Sequence, residues 1–185
     1  MSTLFDPAVL HEIAQKGIGL PYDTMFQTVI AELDRRYPGR IRVQQRWIFN
    51  NACGAMGQLT LLYGSLTEYL ILFGTPIGTE GHSGRYSADV HDFMIDGEML
   101  TYREGEFVPT VFKPGDRALL ERGASKGYCV RDHAWMLEYS KGWIPFMLPT
   151  GLADNFFSNL DFRSVFTLMW DYGKLCVREL LRGKF

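Results

Sequence analysis

The sequence predicts an α+β fold, a β-rich middle flanked by helical segments. Three observations carry this. Apolar residues recur at helical spacing up to about residue 40 and again after about 145. Between them lie short runs rich in branched and aromatic residues. Turn residues such as Gly64-Ser65, Asp96-Gly97, Glu104-Gly105, Pro114-Gly115 and Gly123 separate those runs. With 185 residues, 46% hydrophobic and 22% charged, the chain suits one globular domain, 1–185. Residues 1–40 read as helical, 41–145 as a small barrel or sandwich, and 146–185 as helical again.

The first helix starts after Asp6, an N-cap residue followed by Pro7, and presents Val9, Leu10, Ile13 and Ala14 on one face. A second starts near Pro21 to Asp23, carries Met25, Phe26, Val29, Ile30 and Leu33, and ends at Pro38-Gly39. The strand candidates are 46–50, 58–63, 68–73, 89–95, 107–112, 116–121, 128–132 and 134–140. Pro149-Thr150 opens a helix through Phe157, and Asp161 caps another. The stripe of that last helix is Phe162, Val165, Phe166, Met169, Tyr172, Cys176 and Leu180; Leu168 and Trp170 lie off it. A helix apolar on more than one face lies either between protein and lipid or under protein on both sides.

Several function classes are disfavoured. The net charge of -2 supplies no basic surplus for nucleic acid. Cys53, Cys129 and Cys176 stand far apart, an odd count without a CxxC, and read as small buried hydrophobes in a reducing compartment. No secretion signal is visible, and no apolar run reaches the roughly 20 residues of a spanning helix, so any membrane contact is expected to be made from the surface. The 14% aromatic content fits an apolar pocket, a membrane contact or simply a bulky core.

Two acidic residues break the apolar pattern. Strand alternation puts Val90, Asp92 and Met94 on one face, with His91 and Phe93 on the other. It puts Ala134, Met136 and Glu138 together, opposite Trp135, Leu137 and Tyr139. Burying a carboxylate without a partner is costly. If both carboxylates enter one cavity, they cannot both ionise easily, which leaves an acid and a base for proton transfer and a site for a cationic amine. The alternative is a structural pair neutralised by Arg85, His82 or backbone amides. His11, His82, His91 and His133 form no H-x-H or HExxH spacing, so no metal is expected. The segment 78–89 lacks a phosphate-loop pattern, and no G-x-S-x-G elbow occurs; it reads as a glycine-rich turn anchored by His82 and Arg85.

The segments EYLILFGTPIGTEGHSGRYSAD, WMLEYSKGWIP and LADNFFSNLDF resemble the fungal C-8 sterol isomerases and the sigma non-opioid receptors, from about Phe5 to Tyr172. The resemblance implies a cupin-like β-barrel flanked by N-terminal helices and by two C-terminal amphipathic helices facing a membrane. It implies a homotrimer, peripheral or monotopic membrane association (at the endoplasmic reticulum in a eukaryote, otherwise a cytoplasmic protein) and a sterol or amphiphilic amine ligand. By the same resemblance, Asp92 and Glu138 are the catalytic acids, and Tyr69, Phe73, Tyr86, Met136, Ile144, Leu148 and Tyr172 line the ligand cavity. The isomerase branch is closer, since NNACGAMG carries Ala55 where receptors have tryptophan, and FDPAVLHEIA and GWIPFMLP are isomerase-like. Two departures stand out. The family's N-terminal membrane helix is not seen, and Ser87 replaces a usual tryptophan, which bears on the cavity wall. The implied activity is a cofactor-free Δ8 to Δ7 sterol isomerisation; the alternative is non-catalytic binding of sterols or amines.

Overall fold

The computed structural model describes residues 3–184. Asp6 caps α1 (Pro7–Gln15) by accepting from the Ala8 amide at 2.8 Å, and Pro7 takes a position that needs no amide donor. α2 (Tyr22–Arg36) buries Met25, Val29, Ile30 and Leu33. Both helices follow the apolar periodicity of the sequence.

Among the described residues eight strands make one antiparallel sheet: β1 (Ile48–Ala52), β2 (Ala55–Gly64), β3 (Glu68–Thr75), β4 (Thr79–His82), β5 (Ala88–Tyr102), β6 (Thr110–Phe112), β7 (Arg117–Leu120) and β8 (Gly127–Gly142). The order is β1-β2-β3-β8-β5-β6. β4 lies beside the first part of β8, beyond the end of β3, and β7 lies beside the first part of β5. The long β5 and β8 therefore form the spine.

The expected barrel needs correction. Among the described residues no ladder joins β1 to the β6 and β7 edge, so the sheet curls without closing. The edge of β1 is satisfied by a helix instead. The Asn51 amide donates to Asn155 Oδ1 at 2.5 Å, the Gly54 amide to Asp154 Oδ2 at 2.7 Å, and Asn50 Nδ2 to the Gly151 carbonyl at 2.9 Å. These acceptors lie on α3 (Leu148–Phe157), which follows a short 3-10 turn at Ile144–Phe146 and precedes α4 (Phe162–Leu181).

Three local expectations also change. Asp96-Gly97 is not a turn but part of β5, where the register against β8 slips between Met94 and Asp96 and between Gly97 and Met99. Gly97 has φ 74°, and a Cβ there would overlap the His133 carbonyl, so the bulge requires glycine. Segments 128–132 and 134–140 fuse into the single strand β8. Of 107–112 only Thr110–Phe112 pairs; Phe107 is 97% exposed.

α1 and α2 cover one face of the sheet, where Tyr63, Leu70, Phe93, Trp135, Leu137 and Tyr139 pack. The 3-10 turn, α3 and α4 cover the other, against Leu61, Ile71 and Val90. Asp161 caps α4 as expected, accepting from the Ser164 amide at 3.1 Å. The inner face of α4 differs from the expected stripe. Val165, Tyr172 and Cys176 are buried, but so are Leu168, Asp171, Leu175 and Glu179, while Phe162, Phe166 and Met169 face outward. The two buried carboxylates explain the rotation. Asp171 Oδ2 accepts from Arg42 at 2.9 Å, and Glu179 Oε2 accepts from Arg40 at 2.5 Å and from the Tyr63 hydroxyl at 3.1 Å. Cys53 and Cys129 are half-buried, so only Cys176 meets the expectation of a buried thiol. No helix among the described residues is long and apolar enough to cross a membrane.

Candidate active site

The pleat of β8 sends Trp135, Leu137 and Tyr139 into the α1–α2 core and turns Met136 and Glu138 to the other face. On β5, Phe93 points to the α1–α2 side, with His91 stacked against Phe93 and Tyr139. Val90 and Asp92 point the opposite way. The β5–β8 register sets Asp92 directly opposite Glu138. Side chains so placed have Cβ atoms about 5 Å apart. The juxtaposition follows from the uninterrupted stretch of that ladder between Ala88 and Met94 and not from a flexible loop.

Both carboxylates enter one cavity between the sheet and the C-terminal helices. Its wall includes all nine residues singled out in the sequence: Tyr69, Phe73, Tyr86, Asp92, Met136, Glu138, Ile144, Leu148 and Tyr172. Most of the remaining wall is aliphatic, including Leu59, Leu61, Ile71 and Leu152. Tyr172 is fixed by donating its hydroxyl to the Ser65 carbonyl at 2.6 Å. Ser87 is not part of the wall; its hydroxyl is buried without a partner.

Each carboxylate has its own neighbour. The Tyr69 hydroxyl donates to Glu138 Oε1 at 2.5 Å. The Lys126 ammonium lies 3.3 Å from Asp92 Oδ2, with both side chains 8% exposed. Burial, and then the charge of Asp92, push the Glu138 carboxyl up to about 8; Tyr69 and Lys126 pull in the other direction. Glu138 keeps part of its surface open to the cavity, yet lies deep within the protein. Burial also raises the Tyr69, Tyr86 and Tyr128 hydroxyls, which stay protonated as donors.

Sequence reasoning missed Lys126 and Tyr128. Lys126 sits in the turn before β8, where no periodicity operates, and nothing in its neighbourhood marks it. The expected neutralising groups make other hydrogen bonds, although His82 lies on the cavity wall. His82 Nδ1 accepts from the Gly84 amide at 2.9 Å, and Arg85 donates to the Gly123 carbonyl at 2.6 Å and to Ser125 Oγ at 2.8 Å. Those two residues do anchor the glycine-rich turn, as expected.

A protonated acid beside a base in an apolar pocket can add a proton to a weakly basic carbon and remove one nearby. It can also stabilise a cation held between them. Similarity to known proteins narrows the choice. A family model described as "ERG2 and Sigma1 receptor like protein" matches residues 1–184. The chain belongs to that family. Family members with curated names cover nearly all of it. The C-8 sterol isomerase erg2 of Aspergillus fumigatus is 42% identical over 186 residues, 98% of this chain and 78% of its own length. The sigma non-opioid intracellular receptor 1 of Xenopus tropicalis is 39% identical over 180 residues, 96% of this chain and 81% of its own. Among solved structures, an RmlC-like cupin from Shewanella frigidimarina aligns with 51% of this chain and 84% of its own at a TM-score of 0.44 and 14% identity.

Proposed function

We propose that this chain is a sterol isomerase, working as one domain, that moves a ring double bond from position 8 to position 7. The observation that carries the reading is the Asp92–Glu138 pair, opposed across one ladder inside an apolar cavity. Fungal relatives named C-8 sterol isomerase at about 40% identity support it.

The reaction is a proton exchange. One carboxyl gives its proton to the alkene, the π pair forms the new C–H bond, and a tertiary carbocation results. The other carboxylate takes a proton from the neighbouring carbon, and that C–H pair becomes the new π bond. The carboxylate beside the cation is far more effective in a dry cavity than in water. Phe73, Tyr86, Met136, Ile144, Leu148 and Tyr172 hold the ring system against the acid and base. The reaction is redox-neutral and needs no cofactor.

The test is incubation with a Δ8-sterol in deuterated water, followed by mass spectrometry. A Δ7 product carrying one deuterium supports the reading. Tight binding of a cationic amine with no product would instead favour a receptor-like binding protein.

The same proposal places α3 and α4 on a membrane surface. Phe157 is 78% exposed, and Phe166 and Trp170 are each 65% exposed, with the Lys174 ammonium 4.8 Å from the Trp170 ring centroid. Such a face suits a headgroup boundary. A homotrimer belongs to the proposal on the strength of the sequence resemblance.

A further inference from the structure

The turn that carries Lys126 is built with unusual care for a surface connection. The Lys126 amide donates to Ser83 Oγ at 2.9 Å, and the Ser83 amide donates back to the Lys126 carbonyl at 2.8 Å. Ser83 lies in the glycine-rich turn, where its hydroxyl also donates to the Gly84 carbonyl at 2.9 Å and His82 Nδ1 accepts from the Gly84 amide, so that motif supports a buried ammonium beside Asp92. Glu138 has a different environment. It meets a neutral phenol, Tyr69, and its direct ladder partners are Ile71 and Asp92. The two carboxylates are opposed in space but unequal in their neighbours.

We infer that Lys126 sets the direction of proton flow: its ammonium holds Asp92 as the carboxylate base, so the pair's single proton rests on Glu138, which is the acid. The inference rests on the isomerase reading and deepens it. Glu138 donates its O–H proton to the alkene and becomes a carboxylate, stabilised by the Tyr69 hydroxyl. Asp92 takes the proton from the neighbouring ring carbon. Transfer from Asp92 to Glu138 across the ladder resets the site. Lys126 touches no reacting atom and is a positioning residue. The remaining titratable groups on the cavity wall are the hydroxyls of Tyr69 from β3, Tyr86 from the segment before β5, Tyr128 from β8 and Tyr172 from α4, with His82 from β4. Lys126 is the one lysine or arginine among these wall residues.

Lys126→Met and Lys126→Arg test this in the full chain. Turnover requires one proton on the pair, so it fails at low pH when a second proton arrives. In Lys126→Met that acid limb should move to higher pH by about one unit, with kcat down about tenfold and KM little changed. Lys126→Arg should keep the limb in its native place. A methionine variant with the native limb and kcat would overturn the inference, as would an arginine variant shifted as far as methionine.

Methionine leaves Asp92 without its partner, and that variant could fail to fold. Infrared spectroscopy of the native chain and of Tyr69→Phe at neutral pH then decides. If the proton sits on Glu138, loss of the Tyr69 hydrogen bond shifts the protonated carboxyl band to higher frequency. An unshifted band puts the proton elsewhere and sinks the inference. Failure of the parent reading is distinguishable: native protein that makes no Δ7 product removes the isomerase, whatever the infrared band does.

Discussion

Tyr69 pairs with Ser140 across the β3–β8 ladder, yet its hydroxyl reaches diagonally to Glu138, at 2.5 Å. A donor so placed strengthens as the acid gives up its proton, because hydrogen bonds to charged acceptors are worth more. Tyr69→Phe should therefore lower kcat about tenfold, the equivalent of one such bond. It should also move the alkaline limb to higher pH, since the bond favours the ionised form of Glu138. Steady-state rates across pH are the measurement.

Replacing either carboxylate should remove most of the activity. Glu138→Gln and Asp92→Asn are each expected to cut turnover by about 10²–10⁴-fold, the usual range for a lost acid or base. Both keep the shape of the side chain, so circular dichroism should be native. A Glu138→Gln protein that makes Δ7 product at the native rate would refute the assignment.

Folding stability should fall with pH over a defined window. Glu138 has a folded-state value near 8 against an ordinary 4.5, so between these limits the unfolded chain loses its proton while the folded chain keeps it. The unfolded state then binds fewer protons, and stability drops as pH rises through this range. Below it, both states are protonated and the contribution is fully present. Urea titrations of the native chain and Glu138→Gln should show the extra decline only in the native chain.

The α4 ion cluster should matter for stability and not for chemistry. Glu179 is fully buried and accepts from Arg40 and Tyr63. Glu179→Ala leaves a half-buried arginine and a buried hydroxyl without their acceptor, and should cost about 3–5 kcal/mol in urea unfolding. Sterol turnover per folded molecule should stay within about twofold.

Membrane contact through the C-terminal helices can be tested on exposed residues alone. A combined Phe157→Ser, Phe166→Ser and Trp170→Ser variant removes apolar surface without opening the core. It should float poorly with lipid vesicles and melt like the native chain. Unchanged flotation would place the contact elsewhere.

Much of the fold could be read in the sequence where one physical rule dominated. The caps at Asp6 and Asp161 and the alternation around Asp92 and Glu138 are local signals, and both survive in the structure. The closure of the sheet was not legible, because it depends on how the β1 edge is covered. Side chains of Asn155 and Asp154, a hundred residues away, take the place of a partner strand. The inner face of α4 was misread for a similar reason. Asp171 and Glu179 count as outward residues until Arg40 and Arg42 are brought to them. Lys126 carries no local signal at all, since its meaning comes only from Asp92.

One consequence follows from the long β5 and β8 strands. The same two ribbons carry Phe93, Leu137 and Tyr139 into the outer core and Asp92 and Glu138 into the cavity, on successive residues. The spacing of acid and base is therefore a property of the backbone pairing itself. Heating cannot separate the two groups before it melts the sheet. Loss of catalysis and loss of fold should be a single thermal event, with no warm, folded and inactive intermediate between them.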